Sequence, residues 1–154
     1  MIAALGEVVL RAEIETFSGI AQLPFDHALK LQAERCFDLY LERPGIARFL
    51  MVDLAQPGGL SGFEGNHNLD LIEELFRHES DLLRRGIQAG VIRSMSVTTF
   101  VAARLGPVFT AIALKDLQIP KSDGSDGADV SHVDGEMLRR EYLEVVMALL
   151  RSPV

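Results

Sequence analysis

Tryptophan is missing from this chain, cysteine occurs once, and the 15 lysines and arginines are outnumbered by 22 aspartates and glutamates. Each shortage excludes something. A lone Cys36 cannot close an internal disulfide, so a cystine-stapled scaffold is ruled out. A formal net charge of -7 opposes binding to a polyanion, because affinity for nucleic acid comes largely from Lys and Arg displacing counterions from phosphates. These residues alone are not expected to hold DNA. The first residues lack the basic-then-apolar layout of a secretory signal, and a cytoplasmic location is the expectation that follows. What is present is 48% hydrophobic and 24% charged residue with only 6% aromatic, the balance of a globular protein with a Leu, Ile, Val and Ala core. A chain of 154 residues makes one domain, 1–154, able to bury roughly 70% of its unfolded surface.

Long apolar runs are also scarce, with one exception. Residues 95–114 carry a single charge, Arg104, over a length that could span a bilayer. Arg104 falls mid-run, where a charge is costly, and Ser96, Thr98, Thr99, Gly106, Pro107 and Thr110 dilute the apolar stretch. No membrane contact is expected. The run reads instead as a helix buried on nearly all sides, by a partner subunit as well as its own core, and kinked at Pro107, which takes away one hydrogen bond of the preceding turn.

Period-two alternation is nearly absent, so the chain reads as all-α. Val8, Leu10, Ala12 and Ile14 alternate with charged residues, yet a lone strand would have no partner, and helix is expected from Ile2 to about Gln22. Asp26 is a candidate N-cap for a helix to about Arg43 that carries Leu29, Ala33, Phe37, Tyr40 and Leu41. Pro44 is pre-organised to start the next helix, which runs towards Ala55 through Ile46, Ala47, Phe49, Leu50 and Val52. From about Asn66 to Ala89, Leu69, Ile72, Leu75, Phe76, Leu82, Leu83 and Ile87 form one face of a long amphipathic helix. Residues 120–134, rich in Asp, Gly and Ser, read as an acidic loop, and a last helix runs from Glu136 to Arg151.

The joint at residues 82–93 is the most informative segment. Gly86 inside a helix costs about 1 kcal/mol relative to Ala and marks close packing, while Gly90 stands where a left-handed cap is wanted. Ser94 and Ser96 then offer oxygens to cap the following helix. The stretch Arg85-Gly86-Ile87-Gln88-Ala89-Gly90-Val91-Ile92-Arg93 resembles the Arg-Gly-Ile-x-x-Gly-x-Ile-Arg pattern of the C-terminal regulatory domain of TetR-family transcriptional repressors. Phe37, Tyr40, the run from Pro44 to Leu50, the uncharged helix, the variable loop and the final apolar helix follow the same order. The resemblance implies an antiparallel bundle of about six helices that dimerises through its last two. It also implies a small hydrophobic or anionic ligand in a mostly apolar cavity, no catalysis, and DNA contact only through a helix-turn-helix module. No such module lies within these residues, whether the chain is a fragment or a stand-alone sensor.

The expected ligand-binding residues are Phe37, Tyr40, Phe49, Phe76, Phe100, Arg104 and Phe109, an apolar wall with one polar anchor. Arg104 faces a pocket, an acidic partner or the dimer interface; the sequence leaves these open. The expected dimer interface comprises Val101, Leu105, Val108 and Ile112 together with Tyr142, Leu143, Val146, Met147 and Leu150. Two alternatives stand beside the sensor: a helical homodimerisation module without a ligand, and a metal-binding helical protein using the stripe His67, Asp70, Glu74, His78 and Asp81. That stripe equally has the composition of a solvated face, and no metal or other cofactor is expected. Asp123, Asp126 and Asp129 do not fit a calcium loop in any frame, and Ser61 lacks the second glycine of a nucleophile elbow. Cys36 lies on or beside an apolar helix face, where burial without reactivity is the usual outcome.

Overall fold

Three- and four-residue spacing of apolar side chains sets the architecture. The computed structural model describes residues 2–55, 66–115 and 135–151, which form six helices and, among the described residues, no strand. They are α1 (Ile2–Thr16), α2 (Phe25–Glu42), α3 (Pro44–Ala55), α4 (Asn66–Gln88), α5 (Val97–Lys115) and α6 (Gly135–Leu150). Helix α2 touches all five others, and α5 lies against α2, α3, α4 and α6. The core therefore sits around the α2 and α5 pair.

Helix α1 buries Val9, Leu10, Glu13 and Thr16, and Phe17 and Ile20 extend that side into the turn that follows. The helix stops at Thr16 rather than near Gln22, because Gly19 takes φ +76 and reverses the chain. Two arginines fasten this turn by donating to carbonyls at and beyond the end of the helix: Arg35 to Thr16 and Ser18, Arg85 to Ile20 and Leu23. Asp26 is not the N-cap of α2. Pro24 occupies that position, and its carbonyl accepts the Ala28 amide at 2.9 Å while Asp26 sits one place into the helix, where a carboxylate suits the positive end of the helix dipole. Pro44 opens α3 as its fixed φ predicts.

Helix α4 differs from expectation in phase. Of the expected face, Leu82 and Leu83 are buried and Ile72 and Leu75 pack half-buried against the core, whereas Leu69, Phe76 and Ile87 are exposed, and Asn68, Leu71, Glu79 and Gly86 turn inward. Packing against α1 and α5 from two sides rotates the helix away from its most apolar line. Gly86 is the tightest point: a Cβ there would stand 2.5 Å from the Phe25 ring and 2.7 Å from the Ile92 side chain. Gly90 adopts φ +70, and the amides of Val91 and Ile92 both donate back to the Gly86 carbonyl, closing the helix end as the sequence predicts. Ile92 then forms an antiparallel bridge with Arg151, so the joint is fastened to the end of α6.

Ser96 caps α5, its Oγ accepting the Thr99 amide at 3.1 Å. Pro107 lies inside α5 and leaves the Ala103 carbonyl without its helical donor. Within one copy of the chain the burial of α5 is one-sided: Phe100, Arg104, Val108 and Ile112 face inward, while Thr98, Thr99, Ala102, Gly106 and Thr110 are exposed. Among the described residues no helix is long and apolar enough to cross a membrane. The loops expected at 56–65 and 120–134, with Ser61 and the Asp123, Asp126 and Asp129 group, lie outside the described residues.

Candidate functional site

Among the described residues Arg104 is the largest fully buried side chain, and the groups around it come from five helices. One η nitrogen donates to Glu79 Oε1 on α4 and the other to Gln32 Oε1 on α2. The guanidinium also lies over the Phe100 ring, 5.0 Å from its centroid. The network continues without a break. Gln32 donates to Thr16 Oγ1 at 3.4 Å, and Thr16 donates to the Glu13 carbonyl at 2.6 Å. The Glu13 carboxyl in turn accepts from the Tyr40 hydroxyl and, at 3.8 and 3.9 Å, from the Cys36 thiol.

Aromatic rings surround these polar groups. Phe37 stacks on Tyr142 from α6 at 5.1 Å, and Phe109 meets Tyr40 edge-on at 5.1 Å. Among the described residues four buried side-chain polar atoms have no hydrogen-bond partner: Arg139 Nε on α6 and, in this cluster, Arg104 Nε, Glu79 Oε2 and the Tyr142 hydroxyl. Orphaned groups of this kind are few in folded proteins, and here three share one cluster.

Electrostatics follow from one guanidinium facing two carboxyls. Burial raises Glu79 to about 7, although Arg104 pulls the other way. Glu13 is raised by burial as well, against the opposing pull of Tyr40, Arg104 and Cys36. At Arg104 burial disfavours the charge, yet Glu79, Cys36, Tyr142 and Glu13 together outweigh it, so a cation shared among several acids is held firmly while neither acid is fully compensated. Burial, with the Glu13 carboxyl beside it, pushes the Cys36 thiol well up, the reverse of what a nucleophilic thiolate needs.

The structure brings together Phe37, Tyr40, Phe100, Arg104 and Phe109 of the expected ligand set. Phe49 is half-buried on α3, and Phe76 is 38% exposed on α4 and does not line the cluster. Of the three environments open to Arg104, the acidic partner is the one found. Of the expected dimer set, Val108, Ile112, Tyr142, Val146 and Leu150 are buried within one copy of the chain, and Val101, Leu105, Leu143 and Met147 are half-buried.

Sequence reasoning missed Glu13, Gln32 and Glu79. Two of them stand at core spacing, Glu79 on the line Leu71, Leu75, Leu82 and Glu13 on the line Val9, Glu13, Phe17. Of the proposed metal stripe, His78 stacks on Phe17 and pairs with Glu74 at 3.8 Å, and Asp81 pairs with Arg84 at 2.7 Å. Among the described residues no group of three or more His, Cys, Asp or Glu side chains is placed to hold a metal ion. No family model, no curated protein and no solved structure matches this chain.

Proposed function

We propose that this chain is the small-molecule-sensing and dimerisation domain of a TetR-like transcriptional regulator. The observation that carries the reading is the set of three unpartnered polar atoms around the Arg104–Glu79 pair, enclosed by rings from α2, α5 and α6. Apolar walls with a few convergent polar groups are what a small-molecule site requires. The glycine-closed joint between α4 and α5 supports it further, because helices that meet at the site also meet at a turn fastened to α6. A shift of α4 against α5 would then reach the molecule's end, and DNA would be addressed only through a helix-turn-helix module outside these residues.

Thermal-shift screening with hydrophobic and polar compounds tests the reading. A sensor gains about 2.7 kcal/mol at a ligand concentration one hundred times Kd, whereas a plain scaffold gains nothing. Tyr142→Phe is the companion variant. Its hydroxyl has no partner in the fold, so the unliganded protein should keep its stability while any ligand that uses the hydroxyl binds about tenfold more weakly. The absence of any concentration-dependent stabilisation across the screen rejects the sensor.

A further inference from the structure

We propose that α1 is a proton-operated latch: one proton, shared between the carboxyls of Glu13 on α1 and Glu79 on α4, holds α1 against the bundle, and its loss lets α1 lift away while the other helices stay folded. The latch goes beyond the sensing reading and needs no ligand. A count of charge points to it. Among the described residues the buried charged side chains are Glu13, Glu79 and Arg104, so two carboxyls face one guanidinium. Fully ionised, the trio leaves one negative charge in a water-poor interior, whereas with one proton on either acid it is neutral. Burial raises both acids, in agreement with that count.

The trio lies across the seam between α1 and the rest of the bundle. The titratable groups that face the two carboxyls are Cys36 and Tyr40 from α2, Arg104 from α5 and Tyr142 from α6. Burial pushes the thiol and both phenols up, and Arg104 stays charged, so none of these four changes state near neutral pH. At the rim of the seam Arg35 and Arg85 are engaged with carbonyls at the end of α1 and in the turn after it, and His78 stacks on Phe17 and pairs with Glu74. Helix α1 is the piece able to leave. It lies against α2 and α4, whereas α4 also lies against α5 and is tied to it by the Gly90 joint. Lifting α1 carries Glu13 into water and leaves Arg104 with Glu79 alone, a balanced pair.

Hydrogen exchange of the full chain, followed amide by amide and divided by the intrinsic rate at each pH, tests the latch. The closed cluster holds a proton that the open one releases, so the opening constant of α1 should rise about tenfold from pH 5.5 to pH 6.5 and level off above about 7. Amides from Val9 to Thr16 should lose protection by that factor, through an opening that low urea hardly accelerates. Those from Phe100 to Ile112 should exchange only through the urea-sensitive unfolding of the whole molecule. Glu79→Gln and Glu13→Gln each leave one carboxyl for one guanidinium, so either change alone should abolish the tenfold loss in α1, while His78→Gln should retain it. Amides of α1 and α5 that share one protection and one urea dependence overturn the latch, since α1 then leaves only when everything unfolds. A tenfold loss that survives either glutamine variant of the two acids, or that vanishes in His78→Gln, overturns the shared proton. Should one of the two acid variants fail to fold, the other and the parent chain decide.

Discussion

At Glu79 two effects act on one carboxyl, and burial wins over the attraction of Arg104. In an unfolded chain such a group releases its proton near 4.5, whereas in the fold it holds the proton to about 7. Between those values the folded state binds more protons than the unfolded state, so stability falls as pH rises across that window and levels off on either side. Glu13, raised by burial, acts in the same direction. The free energy of unfolding is therefore expected to be lower at pH 7.5 than at pH 5.5 by on the order of 2 kcal/mol, read as a lower urea midpoint, and Glu79→Gln should flatten much of that dependence. A midpoint that rises with pH contradicts the balance. Arg104 was legible from sequence because it is the one charge in an apolar stretch, while Glu79 was not, because Arg77, His78 and Asp81 around it make any single acid look solvated. Polar neighbours in sequence point to other sides of a helix, and only tertiary packing decides which one turns inward.

The helices themselves were largely readable, and their ends were readable wherever backbone chemistry forces a single answer. Pro44 fixes a start, Gly90 a left-handed stop, and Ser96 a cap; at Asp26 several nearby residues could cap the helix, and a proline just ahead took the position. The phase of α4 was misread because Leu69, Phe76 and Ile87 form a good apolar line that packing leaves outside. Gly86 tests the joint directly. Replacing a helical glycine by alanine ordinarily stabilises by about 1 kcal/mol, yet here the added methyl meets Phe25 on one side and Ile92 on the other. Gly86→Ala is expected to destabilise by about 1–3 kcal/mol, read as a lower urea midpoint with an unchanged slope. Coupling identifies the cause: in a Phe25→Leu background the same alanine should cost measurably less, since the ring that it strikes is gone.

For the molecule as a whole, the outward side of α5 and α6 decides whether two copies meet as we propose. The core takes Tyr142, Val146 and Leu150 from α6 and Phe100, Val108 and Ile112 from α5, so a partner would have to use what remains. On α6 that remainder includes Val145 and Leu149, one turn apart and 45% and 44% exposed; on α5 it is the small residues Ala102 and Gly106, which let a neighbouring helix approach closely. Exposed apolar side chains are common singly, but a pair one turn apart beside a smooth helix is what a two-fold helical interface uses. Introducing two like charges, Val145→Glu with Leu149→Glu, should therefore abolish association while leaving the protomer folded, because neither side chain belongs to its core. Light scattering coupled to size exclusion should read two copies for the parent chain and one for the double variant, with identical helical circular dichroism. A parent chain that stays single at high concentration, well folded, removes the dimer and with it the route by which a ligand at Arg104 would alter the spacing of two DNA readers.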